Sequence, residues 1–303
     1  MIEALFEMWS QAFIIRAIVV GALVSLCAAL LGASLVLKRY SMIGDGLSHV
    51  GFGSLAAAAA LHLAPLKVSI PVVVLAAFLL LRIGESGKLK GDAAIALIST
   101  SALALGVLFV SLTTGLNTDI YNYMFGSLLT LSKDDLALSV VLSAVVLAMF
   151  ILCYHKIFAV TFDERFAKAT GVKTSLYNML IAFLTAITIV LGMRMMGAML
   201  ISALIIFPAL TSMRLCKSFK GMTICSAAVS LACFFIGANA SFIGIRVKHG
   251  SGYIARSLPT GATIVVVNLA AFLIFWLISA LKGKIGKKYA IHDKEMISCP
   301  KKL

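Results

Sequence analysis

Residues 40–54 read Tyr40-Ser-Met-Ile-Gly-Asp-Gly-Leu-Ser-His-Val-Gly-Phe-Gly-Ser54, and a run of alanines from Ala56 to Ala60 follows. A carboxylate, Asp45, and an imidazole, His49, stand four residues apart, a spacing that puts both on one face of a helix. Four glycines, Gly44, Gly46, Gly51 and Gly53, surround them. Whether this stretch is a soluble loop or part of a membrane helix decides the fold, and the rest of the chain answers. Of 303 residues, 61% are hydrophobic and 13% charged, with a mean hydropathy of +1.07. No soluble domain of this size has that composition. Alternating apolar and polar segments of the outer-membrane kind are absent, so helices are the only viable spanning element. The fold class is an all-α polytopic membrane protein.

The net charge of +14 would suggest nucleic acid in a soluble protein. Here the basic residues lie in short segments between apolar runs and in the tail, which excludes that partner and leaves the lipid membrane. None of the cysteines forms a C-x-x-C pair, so neither a disulfide framework nor a zinc knuckle is indicated. Glu3 and Glu7 stand where a signal peptide would be basic, and the first apolar run is expected to stay as a span.

Working outward from Asp45, candidate spans cover 13–37, 42–63, 66–81, 93–113, 136–153, 176–191, 195–207, 222–244 and 261–281. That makes nine, or eight if the sixth and seventh, separated only by Gly192-Met-Arg-Met-Met-Gly197, are one bent element. A single membrane domain over 1–303 is the simplest organisation. Residues 1–12 form an interfacial or external segment, and 283–303 a basic cytoplasmic tail. With the tail inside, most Lys and Arg fall on the cytoplasmic side, as the positive-inside rule requires. Two cytoplasmic segments stand out. Residues 162–171 predict a short amphipathic helix with acids in its first turn and a glycine stop. Residues 208–221 begin with Pro208, end with glycine and carry Arg214, Lys217 and Lys220, which suits an interfacial helix or a docking element.

An ionisable group within a span costs roughly 2.5–3.5 kcal/mol on insertion scales, which makes Asp45 and His49 functional candidates. Three readings compete. The pair pins helix packing, serves an intramembrane metalloenzyme, or holds a cation in transit. The enzyme reading fails, because the chain has no H-E-x-x-H, no G-x-S-x-G and no second His or carboxylate cluster in a span. Sparse ligation is what a conducting site needs, since the ion must leave as well as enter. The glycines predict either a helix break that exposes carbonyls or close helix packing. Two copies of the chain would bring two Asp45–His49 pairs, four ligands, to a shared axis. His62 and Asp119 are weaker candidates for the route. No G-x-x-x-x-G-K-[ST] loop is present, so hydrolysis of nucleotide would fall to a separate subunit and the chain itself is not an enzyme.

Four stretches in order carry a resemblance. Leu37-Lys-Arg-Tyr-Ser-Met-Ile-Gly-Asp-Gly-Leu-Ser-His49 resembles the signature of permease subunits of bacterial ABC importers for zinc, manganese and iron. Phe162-Asp-Glu-Arg-Phe-Ala-Lys-Ala-Thr-Gly-Val172, Met196-Gly-Ala-Met-Leu-Ile-Ser-Ala-Leu-Ile-Ile-Phe-Pro-Ala209 and Leu258-Pro-Thr-Gly-Ala-Thr-Ile-Val265 match further elements of that family. The resemblance implies the type II importer architecture shared with vitamin B12 permeases, in the bacterial cell membrane. It implies a homodimer, cytoplasmic ABC ATPase subunits and an extracytoplasmic metal-binding protein. The family's metal contacts carry over to Asp45 and His49, and its ATPase-docking helix to 208–221, with Pro208, Arg214, Lys217 and Lys220. The divalent metal is cargo rather than a permanently bound cofactor. Zinc is the first choice, with manganese or iron(II) as alternatives, and a membrane scaffold with a structural Asp–His pair is the reading from another class. One departure is the polar, basic loop at 246–256, which is shorter in many relatives.

Overall fold

A computed structural model describes residues 12–86, 91–112, 133–243, 245–249, 252–256 and 258–297. In chain order the helices are α1 (Ala12–Leu37), α2 (Ile43–Ala60), α3 (Pro65–Ser86), α4 (Gly91–Leu112), α5 (Lys133–Leu152) and α6 (Tyr154–Phe162). They continue with α7 (Glu164–Ala169), α8 (Thr174–Met196), α9 (Ala198–Leu215), α10 (Phe219–Ile243) and α11 (Thr260–Ile297). Between α10 and α11, β1 (Ile245–His249) pairs antiparallel with β2 (Gly252–Arg256), Ile245 opposite Arg256. The loop expected at 246–256 is therefore a two-stranded ribbon attached to a helical bundle. The expected tail from 283 continues α11 as far as Ile297.

Seven of these helices are long and apolar enough to cross a membrane. α5 and α6 together are also long and apolar enough but meet at 68°, the shape of a broken span or a re-entrant loop. α2 makes the ninth of the expected segments. It has 18 residues, roughly 27 Å of helix, but its Asp, His, Ser and Gly leave it less apolar than a free-standing span. It is tolerated because α3, α4, α8 and α9 pack around it. The sixth and seventh expected spans are two helices rather than one. They part at Gly197, whose φ of 88° and ψ of 159° lie where a Cβ is not accommodated. The reversal brings Ile201 of α9 back onto Gly192 of α8, where a Cβ would stand 2.3 Å from the Ile201 side chain.

α8 forms the centre of the bundle, and α4 and α11 its periphery. In lipid, helices gain little from burying apolar surface against each other, so close backbone approach and hydrogen bonds hold them. On α1, a Cβ at Gly32 would meet the backbone of Ile205 on α9. Ser25 and Ser230 share a hydroxyl–hydroxyl bond of 2.7 Å, and Ser226 donates to the Ala29 carbonyl at 3.1 Å, joining α1 to α10. Met193, Met195 and Met196 are buried packing residues at the outer end of α8.

Candidate functional site

The site is built on α2. Met42 precedes it without a side-chain cap, and Asp45 lies in its first turn, where a carboxylate is favoured by the unpaired N–H groups of the helix end. α2 runs unbroken through Gly44, Gly46, Gly51 and Gly53, so the expected helix break does not occur. Each glycine instead lets a neighbour come close. A Cβ on Gly46 would stand 2.5 Å from Ile95 of α4, and on Gly51 2.5 Å from the Met193 methyl of α8. On Gly53 it would stand 2.6 Å from the Ala102 carbonyl oxygen of α4, and on Gly44 3.2 Å from Ile205 of α9. Glycine costs about 1 kcal/mol relative to alanine within a helix, and close packing offsets that cost here.

This packing buries most of α2 but leaves a line open. Met42, Asp45, His49, Gly53, Ala57 and Ala60 are exposed or half-buried and stand three or four residues apart, one stripe along the helix. Ala59, near the outer end, is exposed beside it. Within the stripe, His49 Nε2 lies 3.6 Å from Asp45 Oδ2, with 25% of the imidazole and 46% of the carboxylate side chain exposed. A tetrahedral ion with bonds of roughly 2.1 Å holds two donors about 3.4 Å apart, so these two atoms are spaced to share one ion. Ser48 donates to the Asp45 backbone carbonyl at 2.7 Å. On α9, Ser202 is buried and donates its hydroxyl to the Ala198 carbonyl at 3.1 Å. Among the described residues, no group of three or more His, Cys, Asp or Glu gathers to hold a metal within one chain.

Simple span counting puts Asp45 near the cytoplasmic end of its helix. Gly44 meets Ile205, which precedes Arg214 on α9 by roughly 14 Å of helix. Gly51 meets Met193, near the far end of α8 from its start at Thr174. α2 itself runs from Ile43 to Ala60 with no re-entrant break at Asp45.

The other candidates fall elsewhere. His62 is exposed at the outer end of α2 with a φ of 54°. Its N–H bonds the Ala59 carbonyl, and that of Leu63 bonds Ala58, the paired bonds that close a helix C-terminus. Asp119 lies outside the described residues. Pro208 is a correction: it is buried inside α9, ten residues after its start, and does not open a separate docking helix. Arg214 closes α9, Lys217 sits in a three-residue link, and Lys220 is in the first turn of α10; all three are exposed. Ser218 caps α10, its hydroxyl accepting the Gly221 N–H at 3.2 Å.

The expected short cytoplasmic helix is α7. Asp163 caps it, accepting the Phe166 N–H at 2.9 Å, and Gly171, at φ 84°, ends it. The end of α6 joins α7 to the α9–α10 link through aromatic contacts. Phe219, the first residue of α10, has its ring centre 5.2 Å from that of Phe158 and 6.0 Å from that of Phe162.

A family model described as the ABC 3 transport family matches residues 10–279 of this chain. The chain belongs to the ABC 3 transport family. This ABC 3 protein is 30% identical to a probable iron transport system membrane protein of Haemophilus influenzae, over 95% of its own length and 97% of that protein's. It is 27% identical to the manganese import system permease protein ScaB of Streptococcus gordonii, over 91% and 95%. It is also 29% identical to the high-affinity zinc uptake system membrane protein ZnuB of Buchnera aphidicola, over 76% and 85%. Among solved structures, PsaBC from Streptococcus pneumoniae, in complex with Fab, superposes with a TM-score of 0.78 at 26% identity, covering 91% of this chain and 95% of that one. The ABC 3 protein is thus a multi-pass membrane protein with the fold of an ABC permease.

Proposed function

We propose that this chain is the permease subunit of an ATP-driven importer of divalent metal ions, and that the ion passes along the open stripe of α2. One observation carries the reading: Asp45 and His49, at ion-sharing distance, lie on the one face of a buried helix that the chain's own packing leaves open. A second copy across a two-fold axis would supply the other two ligands and close the passage. An extracytoplasmic binding protein delivers the ion. Cytoplasmic ATPase subunits dock on the face formed by α7 and by Arg214, Lys217 and Lys220, and nucleotide binding switches which side of the passage is open.

Zinc is the first choice, because an imidazole and a carboxylate suit it and the donor spacing fits a tetrahedral ion. Manganese and iron(II) accept the same donors, and the relatives' names divide among the three metals. The test is uptake by proteoliposomes holding the permease with its ATPase and binding-protein partners. Asp45→Ala with His49→Ala abolishes uptake on this reading, and uptake at the wild-type rate would refute it. Competition among zinc, manganese and iron(II) at equal concentration then ranks the cargo.

A further inference from the structure

The residues that join α7 to the end of α1, at the start of the link to α2, form a continuous polar chain with a fixed direction. Lys38 Nζ donates to the Asn178 side-chain oxygen on α8, and the Asn178 amide donates to Glu164 Oε1 on α7 at 2.9 Å. Lys38 Nζ also lies 3.6 Å from Glu164 Oε2. The Lys38 side chain is only 9% exposed and that of Glu164 49%. Asn178 is buried. A cation this deeply covered is costly unless it is paired, so the three side chains are held together more firmly than a surface pair.

The backbone after Lys38 is stiff. Arg39 takes a φ of 62°, its N–H bonded to Val36, while the Tyr40 N–H bonds Leu35 at 2.9 Å and Ile43 N–H bonds Tyr40 at 3.0 Å. The whole link from α1 to α2 is residues 38–42, short and hydrogen-bonded at Lys38, Arg39 and Tyr40, with the Tyr40 carbonyl accepting the first N–H of α2. A displacement at Lys38 therefore reaches the first turn of α2 rather than being absorbed. Asp45 lies seven residues on, in that turn.

We propose that Lys38, Asn178 and Glu164 are positioning residues that latch α7 to the start of α2, so that a partner moving α7 moves Asp45. The inference rests on the docking of an ATPase at the α7 face. It adds a route from that face to the ion-binding residues, through side chains that touch neither the ion nor the nucleotide.

Glu164→Lys is the direct variant, because it sits on an exposed six-residue helix and sets two cations against each other. Lys38→Glu in the same chain reverses the pair, and the Asn178 amide can turn over to match. Both are compared with wild type in the complete complex, by retention of the ATPase subunits on purification and by hydrogen exchange of amides 43–47 with and without ATP. The expected result is retention in all three. ATP changes exchange at 43–47 at least threefold in wild type, by less than 1.5-fold in Glu164→Lys, and at least threefold again in the reversed pair. An ATP response in Glu164→Lys equal to that of wild type would overturn the latch. So would loss of the ATPase subunits from Glu164→Lys, restored or not, since α7 would then be a docking contact only. The exchange reading does not depend on the cargo: a wild-type complex that imports no metal but shows the response refutes the metal assignment and keeps the latch. A wild-type chain that binds no ATPase refutes both.

Discussion

Gly53 and Ala102 bring α2 backbone against α4 backbone: a Cβ on Gly53 would stand 2.6 Å from the Ala102 carbonyl oxygen. Backbone cannot rotate away as a side chain can. Gly51 has an equally short clearance, 2.5 Å, but against the terminal methyl of Met193, the flexible end of a long side chain. Gly53→Ala is therefore expected to push the helices apart and cost about 1–3 kcal/mol, whereas Gly51→Ala is absorbed with less than about 1 kcal/mol. Thermal unfolding of the two variants in detergent checks this, and equal midpoints would show that α4 moves freely against α2.

Asp45 and His49 are expected to separate transport from stability. Partly exposed and 3.6 Å apart, they contribute no more than about 1 kcal/mol to the fold through their mutual contact. Asp45→Asn and His49→Gln should leave the unfolding midpoint within a few degrees of wild type. Each should reduce metal uptake at least tenfold, on the order of the 1.4 kcal/mol that one weakened ligand represents. A large drop in midpoint with transport preserved would assign the pair to packing.

Gly197 tests the turn between α8 and α9. Its φ of 88° and ψ of 159° belong to a region that glycine alone occupies readily, so Gly197→Ala should cost about 1–3 kcal/mol. The measurement is again the unfolding midpoint, together with the yield of monodisperse protein.

Arg39 predicts the opposite sign. It holds the left-handed position that ends α1, where glycine is the usual residue. Arg39→Gly should stabilise the isolated permease by about 0.5–1 kcal/mol, read as a rise in midpoint.

At the cytoplasmic face, Arg214→Glu combined with Lys217→Glu should uncouple ATP hydrolysis from uptake. Both side chains are exposed, so little of the fold depends on them. ATP hydrolysed per ion imported is the quantity to measure, and an unchanged ratio would remove these residues from the docking face.

The membrane class, the boundaries of most spans and the Asp45–His49 pair were legible in the chain, because an apolar run long enough to cross lipid and an ionisable group within it both leave local marks. The cap and stop of α7 were legible for the same reason: Asp163 and Gly171 act on backbone groups within a few residues of themselves. Pro208 was misread because proline commonly starts a helix, yet here α9 continues through it. The four glycines left two outcomes open, a break or close packing. The choice lay with Ile95, Ala102, Met193 and Ile205, which are distant in sequence.

Sequence by itself therefore determined that the chain lives in a membrane, that it is helical, and which carboxylate and imidazole share a helix face; each depends on spacing within one segment. Tertiary structure decided that α2 stays whole, which helices close on its glycines, and that Lys38 reaches Glu164 through Asn178. Those are relations between helices, set by where backbones approach and which buried polar groups find partners, and no local pattern of residues encodes them.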